Sequence, residues 1–392
     1  MKVGILTFHR SINYGAFMQS FALASEIQKR YGDIVEIIDF EKKSKHQNYA
    51  KPLCGLRYWL IFGNEYRQMY RRFQDDLKRL PLSKPELITD DYNKVFDYIN
   101  GKYDVVIVGS DAIWSYKKGL GLENPYWLFG DKLKCTKMSY AASAYGLDFK
   151  GVGDEDRRYI KQCLASFAYI GVRDGETERF VKAIGVEQPV HLNCDPTILL
   201  DRPDKEEAQR ILYDRFGMTD RKKTVSVMFA LNQRYLKRIM KHLGKQDFQY
   251  VSLYHHLNWY DRFNPFAPRI LTDLSPYEWY LVYRCYYLNI TTYFHGTALA
   301  LKSNVPTIVL DNTNMGREYQ SKQHQIMSDL NLEKYWFDNT SYSDEQAKKI
   351  LDVVDELVEN HDKISSEIEK SMQIEKCKCE SFFNVLNTLL HS

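Results

Sequence analysis

Short apolar runs alternate with segments of helical periodicity along most of this chain. The runs at 2–8, 35–40, 103–110, 137–143 and 169–174 predict buried strands, and apolar residues recur at helical spacing between several of them. Because alternating strands and helices favour a parallel sheet covered on both faces, the first half of the chain is predicted to be a doubly wound α/β domain.

The composition changes after Thr197, where a charged stretch containing Pro203 precedes a second alternation of strands and helices. Strands are predicted there at 224–230, 250–256, 286–294 and 306–311. We therefore predict an N-terminal domain over 1–200, a C-terminal α/β domain over 220–342 and a helical tail over 343–392 that packs across both. The tail is predicted to contain two helices. Two Rossmann-like doubly wound domains are expected to face a cleft, with ligands bound beyond the carboxyl ends of the strands.

The insertion at 55–80 has the pattern of a basic amphipathic helix. It carries six Lys and Arg against three acidic residues, with its apolar positions on one helical face. The preferred interpretation is a helix that packs on its own domain. The alternative is a helix that lies on an anionic membrane surface.

Composition excludes several classes of protein. The net charge of +3 among 392 residues lacks the basic excess of a nucleic-acid-binding protein. Seven scattered cysteines and a short N-terminal apolar run predict reduced thiols and a cytoplasmic protein, with peripheral membrane association as the alternative tied to 55–80. No cluster has metal-ligand spacing, and no motif for a dinucleotide or a P-loop is present, so neither a metal nor a bound cofactor is expected.

The segment "YFHGT" at 293–297 follows a predicted strand and opens a helix that Thr297 is expected to cap. Helix N-termini favour anions, and Gly296 would let an anion approach the backbone. His295 is the side chain in this turn that can transfer protons near neutral pH. The alternative is a histidine that only hydrogen-bonds within its loop.

Arg173 ends another predicted strand, where its guanidinium suits a carboxylate or a phosphate. The alternative is an ion pair with Asp174, Glu176 or Asp195, and Asp195 is interpreted as a structural residue that holds Arg173.

Further polar residues cluster at the predicted strand ends. The turn after the first strand contains His9, Arg10, Asn13, Tyr14 and Gly15, and later strand ends supply Ser110, Asp111, Ser143 and Tyr145. A purely structural interpretation of the first turn has Asn13 capping the helix and Gly15 relieving crowding.

Six short motifs, taken in order, resemble those of the polysaccharide pyruvyl transferase family. They read "NYGAFMQSFAL", "GSDAIW", "SYAASAYG", "VRD", "DPT" and "YFHGT", and they extend from residue 13 to residue 297. Ala112 and Tyr293 depart from the family pattern, in which Gln and Ser or Arg are common. Because part of the family uses an Arg before the HG pair for the donor, Arg10, Arg317 and Lys322 are candidate replacements here.

The resemblance implies a glycosyltransferase B-like fold and a reaction that moves the enolpyruvyl unit of phosphoenolpyruvate onto two hydroxyls of one sugar. The product is a cyclic ketal in a precursor of a cell-surface polysaccharide, and the acceptor includes a lipid-linked oligosaccharide at the inner membrane surface as one option. His295 is then the candidate catalytic residue. The donor-binding candidates are Arg173, Gly296, Thr297, Asn13, Gly15 and Ser110. The candidates for the acceptor site or the cleft rim are His9, Arg10, Tyr14, Asp111, Ser143, Tyr145 and Tyr293.

Two alternatives remain open from the sequence. One is a glycosyltransferase of the same shape that uses a sugar nucleotide. The other is a non-catalytic glycan-binding descendant of the family, which the missing Arg at position 293 keeps in consideration.

Overall fold

The computed structural model describes residues 1–47, 56–115, 124–129, 133–144, 151–228, 234–253, 269–312 and 321–391, with backbone only at 56–63 and 65. These residues form two six-stranded parallel sheets. The first sheet has the order β2-β1-β5-β6-β7-β8. Its strands are β1 Val3–Leu6, β2 Val35–Ile37, β5 Val105–Val108, β6 Thr136–Ala142, β7 Phe167–Val172 and β8 Val190–Leu192. A separate two-stranded pair joins β3 Phe40–Glu41 to β4 Leu87–Ile88.

Helices occur between the strands of the first sheet, and β1 and β5 are fully buried apolar runs, as is typical of a parallel sheet. These helices are Tyr14–Tyr31, Leu56–Leu77, Tyr92–Asn100, Asp154–Ala165 and Gly175–Ala183. The strand order reverses between β1 and β5, which lie side by side. Because ligands of doubly wound sheets bind at such a reversal, the turns after these two strands are the first place to look for a site.

The second sheet has the order β11-β10-β9-β12-β13-β14, and its order reverses between β9 and β12. Its strands are β9 Lys223–Met228, β10 Phe248–Leu253, β11 Arg269–Leu271, β12 Leu288–Thr291, β13 Thr307–Asp311 and β14 Trp336–Asp338. The accompanying helices are Lys205–Gln209, Arg234–Leu243, Pro276–Val282, Phe294–Lys302 and Lys322–Asp329. The sequence pattern did not predict β11 or β14, which are three residues long and form the two edges of this sheet.

The chain divides into two compact units. The first comprises Met1–Gly63, Phe73–Leu200 and Lys376–Ser392, and the second comprises Asn64–Arg72 and Asp201–Glu375. The last helix belongs to the first unit because Phe382 packs edge-on against Tyr140 and Tyr169, and Arg30 pairs with Glu380 at 2.7 Å.

The tail contains three helices, so the prediction of two was wrong. They are Asp344–Glu359, His361–Cys377 and Glu380–His391. The first is followed by Asn360, whose φ of −107° and ψ of 23° leave the helical region. A short break around Lys378 then separates the last two, and sequence periodicity alone does not reveal a break of one or two residues.

The apolar face of the helix Leu56–Leu77 is packed inside the protein. Tyr66, Met69, Phe73 and Leu77 are each at most 6% exposed, whereas Arg67 is exposed. These side chains are packed, but the helix divides between the two units, so the interpretation as a helix that packs on its own domain stays a prediction. These four side chains are therefore not exposed to lie on a membrane surface.

Among the described residues, none of the helices has the length and apolar character that spanning a membrane requires.

Candidate functional site

The turn after β1 is held by a buried carboxylate that the sequence analysis did not single out. Asp39 accepts hydrogen bonds from Arg10 at 2.5 and 2.7 Å and faces the His9 Nε2 at 2.9 Å. Arg10 also pairs with Glu86 at 2.9 Å. Burial acts to raise the pKa of Asp39, but the hydrogen bonds and charges of Arg10 and His9 prevail and lower this pKa to about 2. His9 and Arg10 thus anchor this turn, and their contact with a sugar stays a prediction.

Asn13 is the N-cap of the helix Tyr14–Tyr31. Its Oδ1 accepts from the amides of Gly15 at 2.9 Å and Ala16 at 3.3 Å. Tyr14 is 2% exposed, and its ring stacks on Phe73. The side-chain oxygen of Asn13 therefore caps the helix, as the structural interpretation of this turn expected. Contact with a ligand stays a prediction for Asn13, Tyr14 and Gly15.

Arg173 lies in a buried ionic centre just beyond β7. Its guanidinium is 3.0 Å from Asp195 and 3.7 Å from Asp111, and its side chain is 4% exposed. Gln19 donates to Asp195 at 2.6 Å, and Thr197 donates to the other carboxylate oxygen through its amide and its hydroxyl. The expectation that Asp195 holds Arg173 is confirmed. Gln19 was missed because a helical side chain 176 positions away gives no local signal.

The residues after β5 lie against this centre. Asp111 has a φ of 79°, in the left-handed region that Asp tolerates better than most residues, and its carbonyl accepts from the Ser143 amide at 3.0 Å. Ser110 is 1% exposed, and its hydroxyl has no hydrogen-bond partner among the described residues. A buried hydroxyl without a partner is energetically unfavourable, so Ser110 is a candidate ligand donor.

Ser143 is fully buried, and its hydroxyl donates to Asp174 at 2.6 Å, so its place at the acceptor site or the cleft rim stays a prediction. The second Asp174 oxygen accepts from the amide and hydroxyl of Thr177 at the start of the helix Gly175–Ala183. The pair thus fixes the strand end next to Arg173.

Lys45 is a cation near Asp111 that was not predicted from the sequence. Its ammonium lies 4.2 Å from the centre of the Phe8 ring. Burial lowers the pKa of Lys45, against the opposing charges of Glu41 and Asp111. Lys45 and Arg173 therefore both place positive charge near Asp111.

In the second unit, the helix that follows β12 begins at Phe294, earlier than the start near Thr297 that was predicted. Thr291 accepts from the Tyr293 amide at 3.0 Å, which turns the chain out of the strand, and the helix begins at Phe294. The expectation that Thr297 caps this helix was wrong. Thr297 is fully buried, and its hydroxyl donates to the Tyr293 carbonyl at 3.1 Å.

His295 consequently lies in the first helical turn and is half-buried. Its ring meets the Phe294 ring edge-on at 5.2 Å. The first backbone bond of this helix runs from Thr297 to Tyr293. The amides of residues 294–296 precede that bond, which is the arrangement that attracts anions to helix N-termini.

Gly296 is required by close packing. A Cβ at this position would lie 2.7 Å from the Thr291 hydroxyl and 3.4 Å from the Met228 sulfur. The Gly296 carbonyl accepts from Asn289 at 3.2 Å. This glycine therefore lets the helix approach the ends of β9 and β12, and its proposed contact with an anion stays a prediction.

Tyr145 and the alternative cation Arg317 lie outside the described residues. Within the described part of the chain, no group of three or more His, Cys, Asp or Glu side chains is arranged to hold a metal ion.

Residues 13–314 match the family model for polysaccharide pyruvyl transferase. The chain belongs to this family. The match includes the turn at Asn13, the centre at Arg173 and the turn at His295, so the resemblance carried by the six motifs is confirmed. A comparison with curated proteins found no match.

Several solved structures share the fold at low sequence identity. The UDP-GlcNAc 2-epimerase of Neisseria meningitidis bound to UDP-GlcNAc has a TM-score of 0.58 at 11% identity, covering 99% of this chain and 100% of that one. HepE of Anabaena in complex with UDP has a TM-score of 0.54 at 11% identity, with the same coverage. The UDP-GlcNAc 2-epimerase of Methanocaldococcus jannaschii has a TM-score of 0.53 at 13% identity, covering 91% of this chain and 92% of that one. With the two parallel sheets, these likenesses confirm the glycosyltransferase B-like fold class.

Proposed function

We propose that this protein transfers the enolpyruvyl unit of phosphoenolpyruvate to two hydroxyls of one sugar in a precursor of a cell-surface polysaccharide. The observation that carries the proposal is the family match over residues 13–314, which includes every motif discussed above. The described site residues add a buried arginine centre in the first unit and a histidine at a helix N-terminus in the second.

The reaction requires two carbon–oxygen bonds to form at C2 of the donor. Protonation of C3 creates a methyl group and cationic character at C2, which the first sugar hydroxyl attacks with loss of its proton. The C2–phosphate bond then breaks, and the second hydroxyl adds to C2 and also loses a proton. Of the two hydroxyl protons, one balances the proton gained by C3 and the other leaves with phosphate.

The first unit is assigned the binding of the donor's negative charge. Arg173 is held by Asp195, so its guanidinium is oriented before any ligand arrives, and such preorganisation favours binding. The Ser110 hydroxyl is buried without a partner, and Lys45 supplies a second cation at the same edge. We propose that these three groups contact the phosphate or the carboxylate of the donor.

The second unit is assigned a proton transfer. His295 is at a helix N-terminus, where the amides of the first turn favour the charge of a bound anion. Imidazole is suited to move a proton near neutral pH, and general acid–base catalysis contributes about 10²–10⁴-fold to rate. We propose His295 as the group that protonates C3 or accepts the proton of the acceptor hydroxyl.

Thermal unfolding with competing ligands tests this assignment against a sugar-nucleotide transferase. Phosphoenolpyruvate is expected to raise the Tm in a saturable manner, and UDP-sugars are expected to leave it unchanged. Phosphate release with phosphoenolpyruvate and mixed acceptor glycans then separates an enzyme from a binding protein. Stabilisation by UDP-sugars alone would favour the glycosyltransferase alternative.

A further inference from the structure

A polar pocket of about 290 Å³ lies in the second unit. Tyr286, which precedes β12, and Ser303, which precedes β13, both line it. The turn containing His295 instead follows the carboxyl end of β12. Because the strands are parallel, the pocket lies at the edge of the sheet opposite the candidate catalytic turn.

Two guanidinium groups line this pocket. Arg284 makes no hydrogen bond or ion pair with any residue that the structure describes. Arg202 lies 3.8 Å from Glu369, with both side chains more than two-fifths exposed. Burial lowers the pKa of Arg284, and the nearby positive charge of Arg202 lowers it further, against the opposing charge of Glu369. Two like charges at one pocket repel each other, and an anion bound between them would remove that repulsion.

Unpartnered hydroxyls point to the same kind of ligand. Ser303 is 2% exposed and lines the pocket, yet its Oγ has no hydrogen-bond partner among the described residues. Ser365, in the first turns of the helix His361–Cys377, is half-buried, and its buried Oγ also has no hydrogen-bond partner among the described residues. Buried hydroxyl groups nearly always have a partner, so these two are available to an oxygen-rich ligand.

Glu369 attracts Arg284 through its charge, but neither acidic residue at the pocket forms an ion pair with Arg284 among the described residues. Asp362 is fully exposed, and its carboxylate lies 3.0 Å from the His361 ring. Glu369 is 52% exposed and pairs loosely with Arg202. The N-terminus of the helix His361–Cys377 adds backbone amides and a favourable dipole for an anion.

We propose that this pocket binds a phosphoryl group through Arg284, Arg202 and the hydroxyls of Ser303 and Ser365. A tetrahedral oxyanion offers acceptors to both guanidinium and hydroxyl donors at once, and the pocket volume suits a small ligand. The inference does not depend on the pyruvyl transfer proposed above. The phosphoryl group has two chemical sources, free inorganic phosphate and the phosphomonoester headgroup of a lipid.

The test is a titration of the whole protein with inorganic phosphate, followed by Tm and by calorimetry, with sodium chloride at matched ionic strength as the reference. Saturable stabilisation by phosphate is expected for the wild-type protein. Arg284→Gln is expected to weaken phosphate affinity by about tenfold or more, because a charged donor is lost. Arg221→Gln, on an exposed turn of the same unit, is the matched control and should bind as the wild type does.

Ser303→Ala is a second variant that tests the same site if Arg284→Gln does not fold. Removing an unpartnered buried hydroxyl should leave the Tm without phosphate unchanged or raise it, while phosphate affinity falls severalfold. The proposal is overturned if phosphate has no effect beyond chloride, or if both variants keep the wild-type affinity.

Vesicle sedimentation identifies the source of the phosphoryl group. Phosphatidylcholine vesicles with and without phosphatidic acid are compared for the wild-type protein and Arg284→Gln. Binding that requires both phosphatidic acid and Arg284 supports a lipid headgroup, and phosphate binding without vesicle binding supports a soluble ligand.

Discussion

The two candidate turns of this protein differ in how their polar groups are satisfied. In the first unit, Arg173 and Asp195 form a buried ion pair whose carboxylate also accepts from Gln19 and Thr197. In the second unit, the turn around His295 is short and half-buried, and it lies at the start of a helix. A substitution at Arg173 should therefore change stability as well as binding, whereas one at His295 should change chemistry alone.

The largest effect on stability is expected from Arg173→Ala. It removes the guanidinium that pairs with the Asp195 carboxylate, which is 1% exposed, and breaking such a pair costs about 3–5 kcal/mol. We expect a clear fall in Tm together with a raised KM for phosphoenolpyruvate. The double variant Arg173→Ala, Asp195→Asn should recover part of the stability but not the KM. A single variant as stable as the wild type would show that the ion pair is not structural.

His295→Ala is expected to separate chemistry from folding. The loss of a proton-transfer group should lower kcat by about 10²–10⁴-fold, while the Tm changes little because the side chain is only half-buried. Steady-state kinetics at saturating acceptor measure this effect, with circular dichroism as the check on folding. A near-wild-type kcat would reduce His295 to a residue that orders its loop.

Asp39→Asn tests how the turn after β1 is held, since Asp39 contacts His9 and Arg10 there. The pKa of Asp39 is lowered from 3.8 to about 2 in the folded protein, so its ionised form stabilises the fold by about 2 kcal/mol above pH 4. This stabilisation is lost as the pH falls from about 4 through about 2. A plot of Tm against pH should show a shallower acid slope for Asp39→Asn than for the wild type. Identical acid slopes would contradict the assignment.

Gly296→Ala tests the packing of the second turn. The added Cβ would lie 2.7 Å from the Thr291 hydroxyl, and overpacking of this kind costs about 1–3 kcal/mol. The destabilisation should be smaller in a Thr291→Ala background, because the clashing oxygen is absent there. Equal penalties in both backgrounds would mean that another contact excludes the side chain.

The smallest effect is expected from charge reversal outside both turns. Arg67→Glu with Arg71→Glu changes two exposed residues of the helix Leu56–Leu77, whose described apolar face is buried. The free energy of unfolding should change by no more than about 0.5 kcal/mol, as for other surface substitutions. Activity on a soluble acceptor should also be unchanged. A strong loss of stability would show that these arginines are part of the packing.

The fold class could be predicted because buried parallel strands are continuous apolar runs, as in Val105–Val108. The pair of Arg173 with Asp195 was foreseen because both residues follow neighbouring strands of one sheet. The roles of Gln19 and Asp39 were not predicted, because each residue acts through a contact between distant segments of the chain. The start of the helix Phe294–Lys302 was predicted too late, because the Thr291 side chain, rather than helix propensity, turns the chain out of the strand.

The most direct test of the proposed function is the product made from phosphoenolpyruvate labelled with ¹³C at C2. The purified protein is incubated with the labelled donor and a mixture of cell-surface oligosaccharides, and the glycans are examined by NMR and mass spectrometry. We expect a ketal carbon bonded to two oxygens of one sugar, formed with one phosphate released per ketal and strongly reduced in His295→Ala. Glycans that remain unlabelled while UDP-sugars are consumed would contradict this expectation.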